Sequence, residues 1–544
     1  MPHATEIAAT VALAPMQADL EEFARRVKLS GSAEEAESFA YLERRMAALG
    51  FRTTLLRHPA FISLPGPARL LVEGGAIRCI THSMARPTPP EGLTADIVDL
   101  ADGSPARFAG RDLRGAILLV DGISNPVLAD RARRAGAAGT ISISPNEHLY
   151  EMCISPVWGS PDPATAAELP ATVAVTVAQA DGAALRARCA AGPVRATIHA
   201  AIDEGWRETP LLVCDMDAPG AAPDAPFVLL SGHHDTWHLG VMDNGAANAT
   251  MIEAARACAA RRDAWRRSLR VCFWSGHSHG RYSGSAWYAD EHWAELDARC
   301  LAHVNVDSTG GVGATALTGT AAAAELAALA RDAIAAQSGQ RFEGGRMGRN
   351  ADMSFWGIGI PAMFGMLSTQ PEGAGALRNP LGWWWHTPHD TLERIDPDWL
   401  LRDTRVVAHT LWRLLADDPA PLDPAAQAAA LLAELEGLAS RLGVRLDIGP
   451  LVAAARRLAA AGPLNDRRLM RISRALVPLD HTTGDRFAHD PALPQPPWPV
   501  LRPLRDLAAA EAGSDAAHRL LVAARRARNR VGAALEEACA ALAG

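Results

Sequence analysis

Three short segments in the middle of the chain, PFVLLSG (226–232), LRVCFW (269–274) and HVNVD (303–307), read as strands, and each ends at or leads into metal-type residues. The apolar run of PFVLLSG is a buried-strand pattern, and the other two are the strands that follow it. Between them, residues 245–262 place Met251, Ile252, Ala255 and Cys258 on one helical face, and AAAELAALARDAIAA (322–336) is a second helix. A further run, GIPAMFGML (359–367), follows. Strands that alternate with helices predict an α/β fold, with a mostly parallel sheet sandwiched by helices. In such sheets ligands gather outside the carboxyl ends of the strands. That is where His233, Asp243, the segment GHSHG (276–280) and Asp307 fall.

The rest of the chain divides around this core. Ser32 and Glu35 form a capping box, and Phe39, Leu42, Met46 and Leu49 then recur at helical spacing. Gly50 closes that helix, and FRTTLL begins a strand. From about 92 to 205 the texture changes to short pieces: GAILLV (115–120), TISIS (140–144) and ATVAVTV (171–177) as strands, with LADRARRAGAAG (128–139) as a helix. This predicts a compact α/β module inserted into a larger domain. Beyond about 420 the strand patterns stop and Ala/Leu/Arg helices dominate, broken by HDPALPQPPWPVLRP (489–503). The expected organisation is 1–91 as the first part of the main domain, 92–205 as the insert, 206–420 as the main domain and 421–544 as a helical domain.

At 544 residues the chain exceeds what one core supports. Its 53 basic and 61 acidic residues are mixed rather than blocked, so nucleic acid is not an expected partner. No stretch approaches the ~18 apolar residues of a membrane span, and the first residues lack a signal-peptide pattern. A cytoplasmic protein is the expectation. Eight scattered cysteines without a CxxC pair read as buried free thiols.

Imidazole and carboxylate at strand ends suit zinc, and an aspartate shared between ions suits a two-metal site. A single such residue is more often a hydrogen-bonded core histidine or a helix cap. The order of the motifs carries more. HHDTWHLGVMDNGAAN, FWSGHSHGRYSGS, VNVDS, NADMSFWGIGIPA and HTPHDTLERID follow the motif sequence of the M28 zinc aminopeptidase/carboxypeptidase family. RVKLSGSAEEAESFAYLERRMAALGF resembles that family's N-terminal segment. Residues 92–200 resemble its inserted protease-associated (PA) domain, and LNDRRLMRISRALVP resembles its helical dimerisation domain. The arrangement is similar to the glutamate carboxypeptidase II and transferrin receptor branch.

The resemblance implies a zinc exopeptidase-like fold and two zinc ions. His233 and Asp307 would hold one ion, His386 the second, and Asp243 would bridge them. Asp235 would orient His233, and the peptide bond after Asp243 would be cis. The family also has adjacent glutamates after the strand ending at Trp274, one a general base and one a zinc ligand. This chain has neither. Anchoring on Phe273-Trp274 aligns His277 and Ser278 with that pair, whereas anchoring on Gly284-Ser285 aligns Ser278 and His279.

Two histidines can substitute chemically, because a neutral imidazole can take a proton from metal-activated water or bind the ion itself. His277 is the expected base and His279 the expected ligand, with Ser278 as the alternative, a hydroxyl donor to substrate. Arg346 and Arg349 in GGRMGRN are candidate clamps for a substrate carboxylate. The expected activity is hydrolysis of a peptide or N-acyl amino acid amide by a homodimer joined through the helical domain. The alternatives are a non-catalytic binding dimer of transferrin receptor type, or hydrolysis of another amide or a lactam.

Overall fold

The computed structural model describes residues 3–371 and 380–543. Ser32 caps the helix Ala33–Ala48 by accepting the N–H of Glu35, and Phe39, Leu42 and Met46 line its buried face. The helix feeds β1 (Arg52–Val72), whose far end folds back onto β2 (Gly75–Ile77). The inserted module follows with β3 (Cys79–Thr81), β4 (Leu93–Asp99), β5 (Ile117–Asp121), β6 (Gly139–Ile143) and β7 (Val173–Val177). Strands β4 to β7 are parallel neighbours, and β3 pairs antiparallel with β7. Thus β3 lies before residue 92 in sequence but pairs with a strand of the module in space, whereas β2 pairs with β1.

The chain returns along β8 (Arg195–Met216), antiparallel to β1 over nearly its whole length. These two strands form a continuous ribbon from the module into the main domain. Pro59, Pro65 and Pro67 interrupt β1 in sequence. Strand β1 has a long partner on one flank only, and an edge tolerates residues that lack an N–H.

The main sheet then adds β9 (Phe227–His233), β10 (Ser268–Trp274), β11 (Cys300–Asp307), β12 (Ala321–Ala322) and β13 (Ala362–Met366). Its order is β12-β13-β11-β9-β10-β8, with β13, β11, β9 and β10 parallel. Every residue of β9 and β10 is buried. On one face Val228, Leu230, Val271 and Phe273 pack with helices that include Ala247–Ala259 and Pro397–Ala416. On the other, Leu229, Cys272 and Trp274 meet Tyr288, Leu296 and Phe355. Complete burial of a side chain such as Phe273 contributes about 2–3 kcal/mol, so the central strands are firmly held. This is the helix-covered, largely parallel α/β sheet that the sequence pattern implies.

Among the described residues no strand lies beyond β13. Helices Pro424–Leu442, Gly449–Ala459, Asp466–His481, Arg502–Ala509 and Asp515–Ala543 share their own core, with Leu435, Leu458, Leu476, Leu504 and Val531 inside it. Arg474 docks this bundle on the main domain by donating to the carbonyls of Leu296, Cys300 and Gly359. All eight cysteines are free. Among the described residues no helix is long and apolar enough to cross a membrane.

Candidate active site

Register places the site. In the parallel ladder His233 stands opposite Trp274, and Asp307 ends the neighbouring strand, so three strand ends open onto one edge. Gly276 turns the chain sharply after β10. Its φ is +77°, and a Cβ there would lie 2.0 Å from Ser283 Oγ, so only glycine fits. The turn carries residues 277–279 back across the strand ends.

Asp243 lies in the loop between β9 and the helix Ala247–Ala259, with a cis peptide bond to Asn244. Its two oxygens are divided: Oδ1 is 3.1 Å from His233 Nε2, and Oδ2 is 3.0 Å from His386 Nε2. Asp307 Oδ1 lies 3.9 Å from the same His233 nitrogen. His233 Nε2 and Asp243 Oδ1 are both buried and make no hydrogen bond despite their proximity. Each histidine is committed through its other nitrogen, which fixes which nitrogen is left free. His233 Nδ1 donates to the Asp235 carbonyl at 2.9 Å, and His386 Nδ1 to the Glu151 carbonyl at 2.6 Å. Two free imidazole nitrogens and two carboxylates therefore converge where a cation would satisfy all of them.

The carboxylate of Asp235 lies 3.8 Å from His233 Nδ1 and also has partners of its own. It accepts the N–H of Ser278 at 2.8 Å, the N–H of His277 at 3.2 Å and the hydroxyl of Ser30 at 2.7 Å. It is the anchor of the 277–278 turn.

The three residues in place of the glutamates take different positions. The His277 ring stacks on His233 with centroids 3.7 Å apart. Its Nδ1 is 3.0 Å from Asp352 Oδ2, and the ring offers a ligand atom within 4.8 Å of those of His233 and Asp307. Ser278 lines the cavity, and its hydroxyl is buried with no partner. His279 is not among the cavity-lining residues. Its Nδ1 lies 2.9 Å from Ser30 Oγ, its ring packs on Trp237, and its Nε2 is buried without a partner.

The cavity in front of these groups has a volume of about 320 Å³. Asp243, His277, Ser278, Asp307 and His386 line it, together with Trp237, Trp385 and, from the inserted module, Met152 and Cys153. Residues 216–411, which hold all of the metal-type side chains, match the model of peptidase family M28. This segment is an M28 peptidase domain.

Among solved structures the M28 domain and its surroundings share the fold of an aminopeptidase from Aneurinibacillus sp. strain AM-1, with a TM-score of 0.58 and 21% identity over 76% of this chain and 96% of that one. BSAP, a zinc aminopeptidase from Bacillus subtilis, gives a TM-score of 0.58 and 19% identity over 75% and 96% of the two chains. In sequence, an 84-residue stretch is 30% identical to a probable glutamate carboxypeptidase, VP8, of Zea mays. That stretch is 15% of this chain and spans only 12% of the length of the plant protein.

Electrostatics in the M28 domain point the same way as the geometry. Burial would lower the His233 pKa, but the carboxylates of Asp243, Asp307 and Asp235 lift it to about 10. Burial would raise Asp243, yet His233 and His386 hold it well below the usual carboxylate range. Asp307 is compensated only in part: burial and the charge of Asp243 push it up against the opposing pull of His233, His277 and the Ser308 hydroxyl. The site thus concentrates more buried negative charge than its own histidines neutralise, which a divalent cation would correct. His279 behaves as a core residue, its pKa lowered by burial to about 4.

Arg346 and Arg349 are engaged elsewhere. Arg346 pairs with Asp480 at 2.7 Å, and Arg349 donates to the carbonyls of Asp490 and Pro491 while lying over Trp158. Both tie the M28 domain to the C-terminal region. Two supporting acids carry no role in the sequence-based reading. Asp352 holds His277, and Asp390 accepts the N–H of Met242 and of Asp243 at 2.8 and 3.1 Å. Both stand inside quoted motifs, NADMSFW and HTPHDTLERID, but their partners are remote in sequence.

Proposed function

We propose that this protein is a metal-dependent amide hydrolase acting on a peptide or N-acyl amino acid, with zinc held by His233, Asp243, Asp307 and His386. The observation that carries this reading is the division of Asp243 between His233 and His386, at 3.1 and 3.0 Å. A carboxylate shared in this way is what two adjacent ions require. When bound, zinc supplies Lewis acidity, polarising a carbonyl and acidifying water. The names of the aminopeptidase neighbours and of the plant carboxypeptidase favour a peptide-like substrate.

The chain's own residues do the rest. His277 is the proton acceptor, with Nδ1 turned to Asp352 and Nε2 left for the cavity. A neutral imidazole suits that task near neutral pH. Ser278 offers an unpartnered hydroxyl to a substrate carbonyl or amide. Trp237, Trp385, Leu381 and Met152 form an apolar wall that excludes bulk water and strengthens the polar contacts inside. The helical domain joins two copies as a homodimer.

A second role for His277 is favoured by one distance. Its ligand atom, with those of His233 and Asp307, fits within 4.8 Å, so it could join His233, Asp307 and the shared Asp243 as a fourth ligand to the first ion. A screen of dipeptides, acyl amino acids and cyclic amides with zinc-loaded protein tests the function. Hydrolysis of at least one class, abolished by a chelator and restored by zinc, is the expected outcome. No turnover of any class by fully loaded protein would leave the binding-dimer alternative.

A further inference from the structure

A line of hydrogen bonds connects the inserted module to the ring of His277. The indole N–H of Trp158 donates to Ser354 Oγ at 2.9 Å. Ser354 Oγ and Ser285 Oγ are 2.8 Å apart, and Ser285 donates to Asp352 Oδ1 at 2.9 Å. Asp352 Oδ2 then faces His277 Nδ1 at 3.0 Å. Trp158, Ser354, Ser285 and Asp352 are all buried.

The chemistry of the two ends sets the direction of every bond between them. An indole can only donate, and a carboxylate can only accept. Ser354 accepts from Trp158 and donates its O–H to Ser285, and Ser285 donates its O–H to Asp352 at 2.9 Å, with the Tyr282 carbonyl a longer acceptor at 3.2 Å. Both oxygens of Asp352 then accept, one from Ser285 and one from His277. His277 must therefore carry its proton on Nδ1, which leaves the Nε2 lone pair free. A glutamate in this place would need no such device, because either of its oxygens can accept. An imidazole works in only one of its two tautomers and only at one ring angle.

We propose that Asp352 is the positioning residue that makes a histidine usable where the M28 domain would otherwise carry a glutamate. Trp158, acting through Ser354 and Ser285, makes that setting depend on the seating of the inserted module. The inference rests on His277 as the proton acceptor. Removing a partner that orients an active histidine lowers its effectiveness by about 10- to 100-fold.

The test measures zinc content, kcat and KM for wild type and for Asp352→Asn, Ser285→Ala and Trp158→Phe. Asp352→Asn should lower kcat by about 10- to 100-fold with zinc content and KM unchanged. Ser285→Ala and Trp158→Phe should lower kcat by smaller factors in the same sense. In a His277→Ala background, Asp352→Asn should cost nothing further. Unchanged kcat in Asp352→Asn, or an equal loss with and without His277, would overturn the proposal. If zinc-loaded wild type hydrolyses no amide, the functional reading fails instead, and ¹⁵N NMR of the His277 ring still decides the positioning. An Nδ1-protonated ring in wild type that changes tautomer in Asp352→Asn supports it, and the same tautomer in both proteins overturns it.

Discussion

Asp390 Oδ2 accepts the backbone N–H of Asp243 at 3.1 Å, so the loop that supplies His386 also fixes the carboxylate shared between the two histidines. The neighbouring N–H of Met242 binds the other oxygen of Asp390 at 2.8 Å. Through these two backbone N–H groups Asp390 sets the position from which Asp243 reaches both imidazoles. Asp390→Ala should weaken zinc binding by about 10- to 100-fold without removing any ligand. Titration against a competing chelator measures this, and wild-type affinity in the variant would show that the loop holds its shape unaided.

The division of Asp243 gives the two histidines separable effects. His233→Ala should abolish tight binding of one ion and His386→Ala that of the other, whereas Asp243→Ala should deplete both. Metal quantification on the three purified variants checks this. Identical stoichiometry in His386→Ala and wild type would mean that His386 serves no ion.

His279 is held by Ser30 and Trp237, behind the turn that presents His277 and Ser278. His279→Ala should keep the zinc content of wild type and lower stability by about 1–3 kcal/mol, because Ser30 and Asp235 lose a buried neighbour. Thermal unfolding with parallel metal analysis separates the outcomes. Loss of an ion in this variant would instead make the unpartnered Nε2 a ligand.

Glu325 is fully buried, both its oxygens lack a partner, and burial pushes its pKa up to about 8. A carboxyl whose folded pKa exceeds its unfolded value binds a proton that the unfolded chain has released. Stability contributed by Glu325 therefore falls as pH rises from about 4.5 to about 8, then levels off. Glu325→Gln should raise the Tm at pH 8 by more than at pH 5, flattening the profile. An equal shift at both pH values would place the ionised form elsewhere than in this environment.

Part of the candidate site was legible in the sequence as residue types and motif order. His233, Asp243, Asp307 and His386 follow apolar runs or sit in loops whose wording is distinctive, and burial of β9 and β10 on both faces makes those runs unmistakable. What the sequence could not resolve was the register after Trp274. A turn at one glycine with φ +77° brings two of three successive side chains, His277 and Ser278, to the cavity, and no periodicity reports a dihedral angle. Asp352 escaped because its partner is 75 positions away and the two meet only through the fold. Arg346 and Arg349 look like free anion clamps in a glycine-rich loop, but Asp480 and the 490–491 carbonyls claim them from the C-terminal region. The prolines of β1 concealed a 21-residue strand, because an edge position forgives what an interior one would not.

The most direct test of a histidine-based metal hydrolase is the zinc content and kcat of His277→Ala beside wild type. Unaltered zinc with kcat reduced by about 10²- to 10⁴-fold is the expected result, the range that loss of a general base produces. A His277→Ala protein that keeps its zinc and its full rate, or that loses both together, would contradict the assignment of His277 as the proton acceptor.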